Sequence, residues 1–135
     1  MRYKFLPHTA DIKFQAYGKT LDESFENSAL AMFNAMHKEK IKSKIKKTAK
    51  ASGKDLESLL YNFLEQLLVL LDSKNFFLAN AKVKINEKNL KLIAELWGDN
   101  AGDYSIGLDV KAITYNNIFV KKIKGKWVCQ VVVDV

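Results

Sequence analysis

The chain has a single cysteine, Cys129, and a single proline, Pro7, among its 135 residues. One thiol excludes an internal disulfide framework and leaves no paired-cysteine metal motif, so a reducing, intracellular setting is the expectation. Glycine is also sparse, at 6 residues, and no Gly-rich phosphate loop occurs. No Pro/Gly/Ser-rich linker, internal repeat or low-complexity segment divides the chain, so one domain over residues 1–135 is expected. The longest apolar stretch, Leu56 to Leu71, is broken by Glu57, Asn62, Glu65 and Gln66, which excludes a membrane-spanning helix. The N-terminal residues Met1 to Phe5 have no apolar signal-peptide core. A cytoplasmic protein with no membrane partner is the reading these absences favour.

Arginine is nearly missing as well: Arg2 is the only one, yet the formal net charge is +7. The excess is local. Eight lysines (38, 40, 42, 44, 46, 47, 50 and 54) face one acid, Glu39, between Lys38 and Lys54, a sum of +7. The remainder of the chain is therefore neutral. A lysine ribbon can contact RNA phosphates with strong salt dependence. It contains no stacking aromatic and no arginine, which base readers usually add. A weak tRNA or RNA contact is thus one expectation, and a solvated strand guarded by lysines is the other.

What is present is a pattern of alternation and helical spacing. With 48% apolar residues the chain can bury a core of its own. Arg2 to Phe5 suggests a short strand. Ile12, Phe14 and Ala16 alternate with polar neighbours and predict a strand closed by Gly18. Thr20 and Glu23 have capping-box spacing, and Phe25, Ala29, Met32, Phe33 and Met36 follow at helical spacing, predicting a helix over 21–36. Ile41, Ser43 and Ile45 opposite Lys40, Lys42, Lys44 and Lys46 predict a lysine-faced strand. Asp55 stands where a helix cap belongs, ahead of a leucine-rich helix to about Leu71. Strands are expected over 76–85 and 90–97 around a hairpin, then over 106–114, 118–123 and 127–133. Two helices and a largely antiparallel sheet make a single-domain α+β fold.

No constellation of nucleophile and base stands out, and His8 and His37 lack ligand spacing. Cys129 reads as a core residue. Three aspartates are the better candidates. Asp11 precedes a strand, Asp55 begins a helix, and Asp134 ends a strand written in valine. An Asx turn, a cap and a solvated end would explain them separately. If they converge, they form a hard-oxygen site for Ca²⁺ or Mg²⁺. A metal-dependent hydrolase on the same aspartates ranks last, because neither histidine is placed as a general base. Lys111 to Tyr115 reads as a strand end with a rim tyrosine.

The motifs fall in one order along the chain. His8-Thr9-Ala10-Asp11-Ile12, the Gly18 to Ala29 helix entry, the acid-led leucine helix from Asp55, Val110-Lys111-Ala112-Ile113-Thr114-Tyr115 and the closing Val133-Asp134-Val135 together resemble the archease family. Pro7, Lys13 and Asn116 depart from its usual residues. The resemblance implies a small cytoplasmic accessory protein rather than an enzyme. Its partner would be an RtcB-type RNA ligase of tRNA splicing and RNA repair, whose guanylylation and turnover it promotes. It also implies a divalent-metal site at Asp11 and Asp134, with Val135 contributing through its backbone and its terminal carboxylate, and Ca²⁺ favoured over Mg²⁺. Asp55 matches an acidic position linked to function. His8, Thr9, Lys111, Thr114 and Tyr115 are the other motif residues.

Overall fold

A computed structural model of the chain describes residues 1–8 and 10–135. Thr9 lies outside the described residues. The element order is β1 (Tyr3–Leu6), β2 (Ile12–Gly18), α1 (Leu21–Met36), β3 (Ile45–Ser52), α2 (Leu56–Lys74), β4 (Phe76–Asn86), β5 (Lys91–Asn100), a 3₁₀ turn (Ala101–Asp103), β6 (Ala112–Ile123) and β7 (Lys126–Asp134). The expected single sheet is two antiparallel sheets. One has the order β1-β2-β7-β6 and the other β3-β5-β4. Each helix packs against strands of both sheets.

Helix α1 spans the expected residues. The Thr20 hydroxyl accepts the Glu23 amide at 3.1 Å, while the Glu23 carboxylate reaches back to the Lys19 amide. No residue of α1 is exposed, because sheet strands cover it from more than one side. Phe25, Met32 and Phe33 fill the core. Ser24 and Ser28 return their hydroxyls to the helix carbonyls of Leu21 and Ser24, so these small buried polar groups leave no unpaired donor. Gly18 permits the tight β2-to-α1 turn: a Cβ there would lie 2.4 Å from the Ser24 amide nitrogen. Cys129 is fully buried facing Ser24, and burial pushes its thiol up to about 11.

The lysine-faced strand, expected from Lys40 to a break at Ala51-Ser52-Gly53, starts five residues late and ends within that break. Residues 37–44 are irregular, and pairing begins at Ile45↔Gly98 and runs to Ser52↔Lys91. The reason lies in the partner. β5 ends at Asn100 and turns into the 3₁₀ segment, so in this register no residue of β5 remains to pair with Lys42 and the residues before it. The Lys42 amide donates to the Tyr104 hydroxyl instead, at 3.1 Å. Ile41 is still buried, which anchors the irregular stretch. Of the expected strands over 106–114 and 118–123, residues 106–111 are irregular and the rest is one strand, β6, carrying a large bulge. Between Thr114↔Val132 and Phe119↔Gln130, four residues oppose the single Val131. Asn117 takes a left-handed φ of 57° and its carbonyl accepts the Gln130 side-chain amide at 2.8 Å. β5 also outruns the expected 90–97, because Gly98 fits beneath Phe77: a Cβ would stand 2.1 Å from the Phe77 carbonyl. None of the helices is long and apolar enough to cross a membrane among the described residues.

Acidic side chains of the helices tie down sheet edges. Glu26 and Asp22 of α1 accept the Val83 and Ile85 amides of edge strand β4, at 2.8 and 3.1 Å. Glu57 of α2 accepts the Val120 amide of edge strand β6 at 3.0 Å. These contacts satisfy donors that an open edge would offer to another strand. Desolvation raises the Glu26 carboxyl above its usual range, outweighing the stabilising Val83 bond, with Asp22 and Glu23 adding repulsion.

Two stability predictions follow from the caps. Glu26→Ala strands the buried Val83 amide and lowers unfolding free energy by about 1–3 kcal/mol in urea titrations. Glu26→Gln keeps an acceptor without the charge. Because the folded carboxyl is raised, wild-type stability is lost as pH climbs through that value, so Glu26→Gln gains on wild type near neutrality and matches it near pH 3. Asp55 behaves in the opposite sense. Its carboxylate accepts the Ser58 amide at 2.7 Å as the cap of α2, and that bond, aided by the Ser58 hydroxyl, holds it below the usual range. Asp55→Ala is expected to lower Tm at pH 7. The deficit disappears as pH falls through the depressed value, because the wild-type cap is then protonated.

Candidate metal-binding tip

The registers of β2, β7 and β6 converge at one end of the four-stranded sheet. Ile12 pairs with Val133 as the last pair of this ladder, and Asp11 and Asp134 are the next residue of each chain segment beyond it. Ala112 pairs with Asp134 from the other side, and the Lys111 amide donates to the Asp134 carbonyl at 2.8 Å. Val135 is half-buried and packs against the core. β2 and β7 are the two interior strands of this sheet; Asp134 is paired on the β6 side, and Asp11 lies just past the β1 ladder, which ends at Leu6↔Lys13. Asp11 is half-buried and Asp134 exposed. Neither carboxylate makes a hydrogen bond or ion pair among the described residues.

The approach to Asp11 is constrained. Ala10 has φ 66°, a left-handed conformation that costs a residue with a Cβ about 1–2 kcal/mol. His8 is half-buried, and its Nδ1 is buried without a hydrogen-bond partner among the described residues. Asp11 and Asp134 offer carboxylates without a hydrogen bond or ion pair among the described residues, and the His8 ring offers an orphaned nitrogen three residues before Asp11. That donor set fits a hard divalent cation held by two carboxylates and backbone oxygens. No group of three or more His, Cys, Asp or Glu side chains gathers among the described residues, so side chains alone do not complete a coordination sphere.

The other motif residues divide between this end and elsewhere. The Thr114 hydroxyl donates to the Val132 carbonyl at 2.8 Å and accepts the Asn116 amide, fixing the chain where the β6 bulge begins. Tyr115 is 53% exposed and stacks on Tyr61 of α2, with ring centroids 4.3 Å apart and planes within 8°. Spacing gave no hint of Tyr61, because it sits beside the leucine stripe of α2 and the stack exists only once α2 docks on β6. Burial, reinforced by Glu65, raises the Tyr61 phenol. Asp55 is not brought to the tip. Two residues after it, Glu57 holds Val120, which pairs with Cys129, five residues before Asp134. At about 3.3 Å per residue, the start of α2 docks roughly 16 Å along β7 from Asp134. Asp99, another buried acid, is committed to the Tyr104 hydroxyl at 2.7 Å and the Asn100 amide.

Comparison with known proteins agrees with the motif order. A family model described as Archease protein family (MTH1598/TM1083) matches residues 3–135. Protein archease of Pyrococcus abyssi is 39% identical over 140 residues, covering 99% of each chain. Protein archease of Methanosarcina barkeri is 40% identical over 140 residues, covering 99% of this chain and 96% of the relative. The solution structure of Methanobacterium thermoautotrophicum protein 1598 superposes with a TM-score of 0.81 at 31% identity, covering 99% of each chain. An archease, possible chaperone, from Thermotoga maritima shares the fold, with a TM-score of 0.65 at 18% identity over 98% of this chain and 96% of its own. With one domain of two helices and two antiparallel sheets, and a family match over nearly its whole length, this chain belongs to the archease family.

Proposed function

We propose that this protein is a non-catalytic activator of an RtcB-type RNA ligase in tRNA splicing and RNA repair, working through a divalent-metal tip. The observation that supports the reading is the Ile12↔Val133 pair, which leaves Asp11 and Asp134 as the next residue of each strand at one end of the sheet in a chain of this family. Asp11 and Asp134 would hold the cation through their carboxylates and Val135 through its backbone. Ca²⁺ is favoured over Mg²⁺, because two carboxylates and backbone oxygens suit a flexible coordination sphere better than a strict octahedron. A divalent ion held by Asp11, Asp134 and the Val135 backbone would supply charge neutralisation at phosphoryl oxygens during guanylyl transfer.

The protein's own residues supply rigidity rather than reaction chemistry. β2 and β7 are interior strands, so the two carboxylates reach a partner as a preorganised pair. The Lys111–Asp134 backbone bond and the Thr114–Val132 bond hold the adjoining start of β6 against β7. The one thiol is fully buried with a raised pKa, so it offers no nucleophile.

Calorimetric titration of the protein with CaCl₂ is expected to give a dissociation constant on the order of 10⁻⁴ M, as befits a site of low carboxylate count. Asp134→Ala should abolish that heat while leaving the far-UV circular dichroism unchanged. In a second experiment, guanylylation and multiple-turnover ligation by a cognate ligase are followed with wild type, Asp11→Ala and Asp134→Ala. Wild type should restore turnover, and each variant should lose at least about tenfold of the stimulation, equivalent to about 1.4 kcal/mol. Full stimulation by both variants would overturn the metal tip. No stimulation by wild type would overturn the ligase reading itself.

A further inference from the structure

The outer face of the three-stranded sheet is a basic concavity that no single segment of sequence contains. Its exposed positions align in rows across β3, β5 and β4. Lys50, Ile93 and Lys84 form one row, and Ser52, Lys91 and Asn86 the next. Thr48, Glu95 and Lys82 form the row on the other side of Ile93. Lys50, Lys82, Lys84 and Lys91 thus surround Ile93, which is 52% exposed, over a concavity of about 870 Å³. The one acid of this face, Glu95, is occupied by Lys46 at 3.2 Å. The four surrounding lysines have no ion-pair partner among the described residues.

A solvated sheet face ordinarily mixes charges of both signs, and like charges gathered across neighbouring strands destabilise a sheet. Lysines on edge strands β3 and β4 can guard against sheet-to-sheet pairing. Lys91 needs another explanation, because β5 is the central strand and has no free edge. Lysine is depleted from protein–protein interface cores, whereas it binds phosphate well as a point charge. The charge of this face therefore suits a polynucleotide backbone better than an acidic protein. The one aromatic ring of the face, Trp97, lies one row beyond Glu95, is half-buried and has the Lys46 ammonium 5.5 Å from its ring centroid, whereas the lysines around Ile93 have no ring among them, so contact there would be to phosphates and insensitive to sequence.

We propose that the outer face of the β3-β5-β4 sheet docks the phosphate backbone of single-stranded RNA, with Lys50, Lys82, Lys84 and Lys91 as the phosphate contacts and Ile93 as the apolar floor beneath a sugar or base. This site differs from the Lys38–Lys54 ribbon. Only Lys50 belongs to both, and the irregular part of the ribbon, 38–44, lies outside the concavity. The inference concerns RNA binding by the protein alone and stands or falls separately from ligase activation.

The test is fluorescence anisotropy with a short labelled oligouridylate between about 50 and 200 mM salt. Four phosphate contacts to a single strand predict a slope of log affinity against log salt of about −3. A variant carrying Lys50→Gln, Lys84→Gln and Lys91→Gln should bind at least about tenfold more weakly at low salt, with the slope falling towards −1. A charge-matched variant carrying Lys38→Gln, Lys40→Gln and Lys42→Gln should bind within about twofold of wild type. Equal losses in both variants would reduce the effect to net charge and overturn the proposal. So would an unchanged triple variant of the sheet face, or no binding by wild type at low salt. Competition by polyglutamate as effective as unlabelled RNA at matched charge would assign the face to an acidic protein and overturn it as well.

Discussion

The fold depends on α1 being covered by strands of both sheets, with none of its residues exposed. A helix enclosed by two sheets must present apolar or internally satisfied groups all around, and α1 does so with phenylalanines and methionines in the core, serines bonded to its own carbonyls, and acids at its margins. Those acids do not remain in solvent. Glu26 and Asp22 take up the free amides of the β4 edge, which fixes the angle and height at which the small sheet sits on the helix. α2 repeats the device on the other sheet through Glu57 and Val120. Each sheet is thus joined to a helix by charge-assisted hydrogen bonds as well as by packing, and the edges so occupied are closed to strand addition.

From that enclosure follows the division of labour between the two sheets. The larger sheet keeps its interior strands, β2 and β7, straight and in unbroken register from Gly18↔Trp127 to Ile12↔Val133. The irregularity is pushed outward into the β6 bulge, where Tyr115 meets Tyr61 and Asn117 meets Gln130. A rigid pair of strands with one acid at each terminus is the simplest scaffold for a two-carboxylate tip. The smaller sheet buries one face on the helices and leaves the other to water, which allows lysines from three strands to gather around Ile93.

Much of this was legible in the residues. Helical spacing and the Thr20 cap delimited α1, and the Asp55 cap delimited the start of α2, because capping and periodicity are local properties. The alternation over 12–18 gave β2 for the same reason. The lysine-faced strand ends where its pattern breaks, at Ser52, but starts at Ile45 and not at Lys40, because alternation in 40–44 looks the same whether or not a partner strand exists. β6 was divided in two because its bulge residues, including Asn116 and Asn117, resemble a turn. The bulge is a non-local feature, set by which β7 residues are left to pair.

The sequence by itself determined the element types, the acidic residues at the ends of the chain's strands, and the family to which their order corresponds, since each depends on residue identity and short-range spacing. Only the tertiary structure decided which of those acids share an end of the sheet. Antiparallel register brings the start of β2 and the end of β7, and so the segments that carry Asp11 and Asp134, to one end of the sheet across more than a hundred residues of chain, whereas Asp55 is spent on capping its own helix. The same holds for charge. Composition located a basic ribbon, but strand pairing distributed it, sending Lys50 to join Lys82, Lys84 and Lys91 and leaving the rest of the ribbon elsewhere, because a sheet groups residues by cross-strand row and not by their order along the chain.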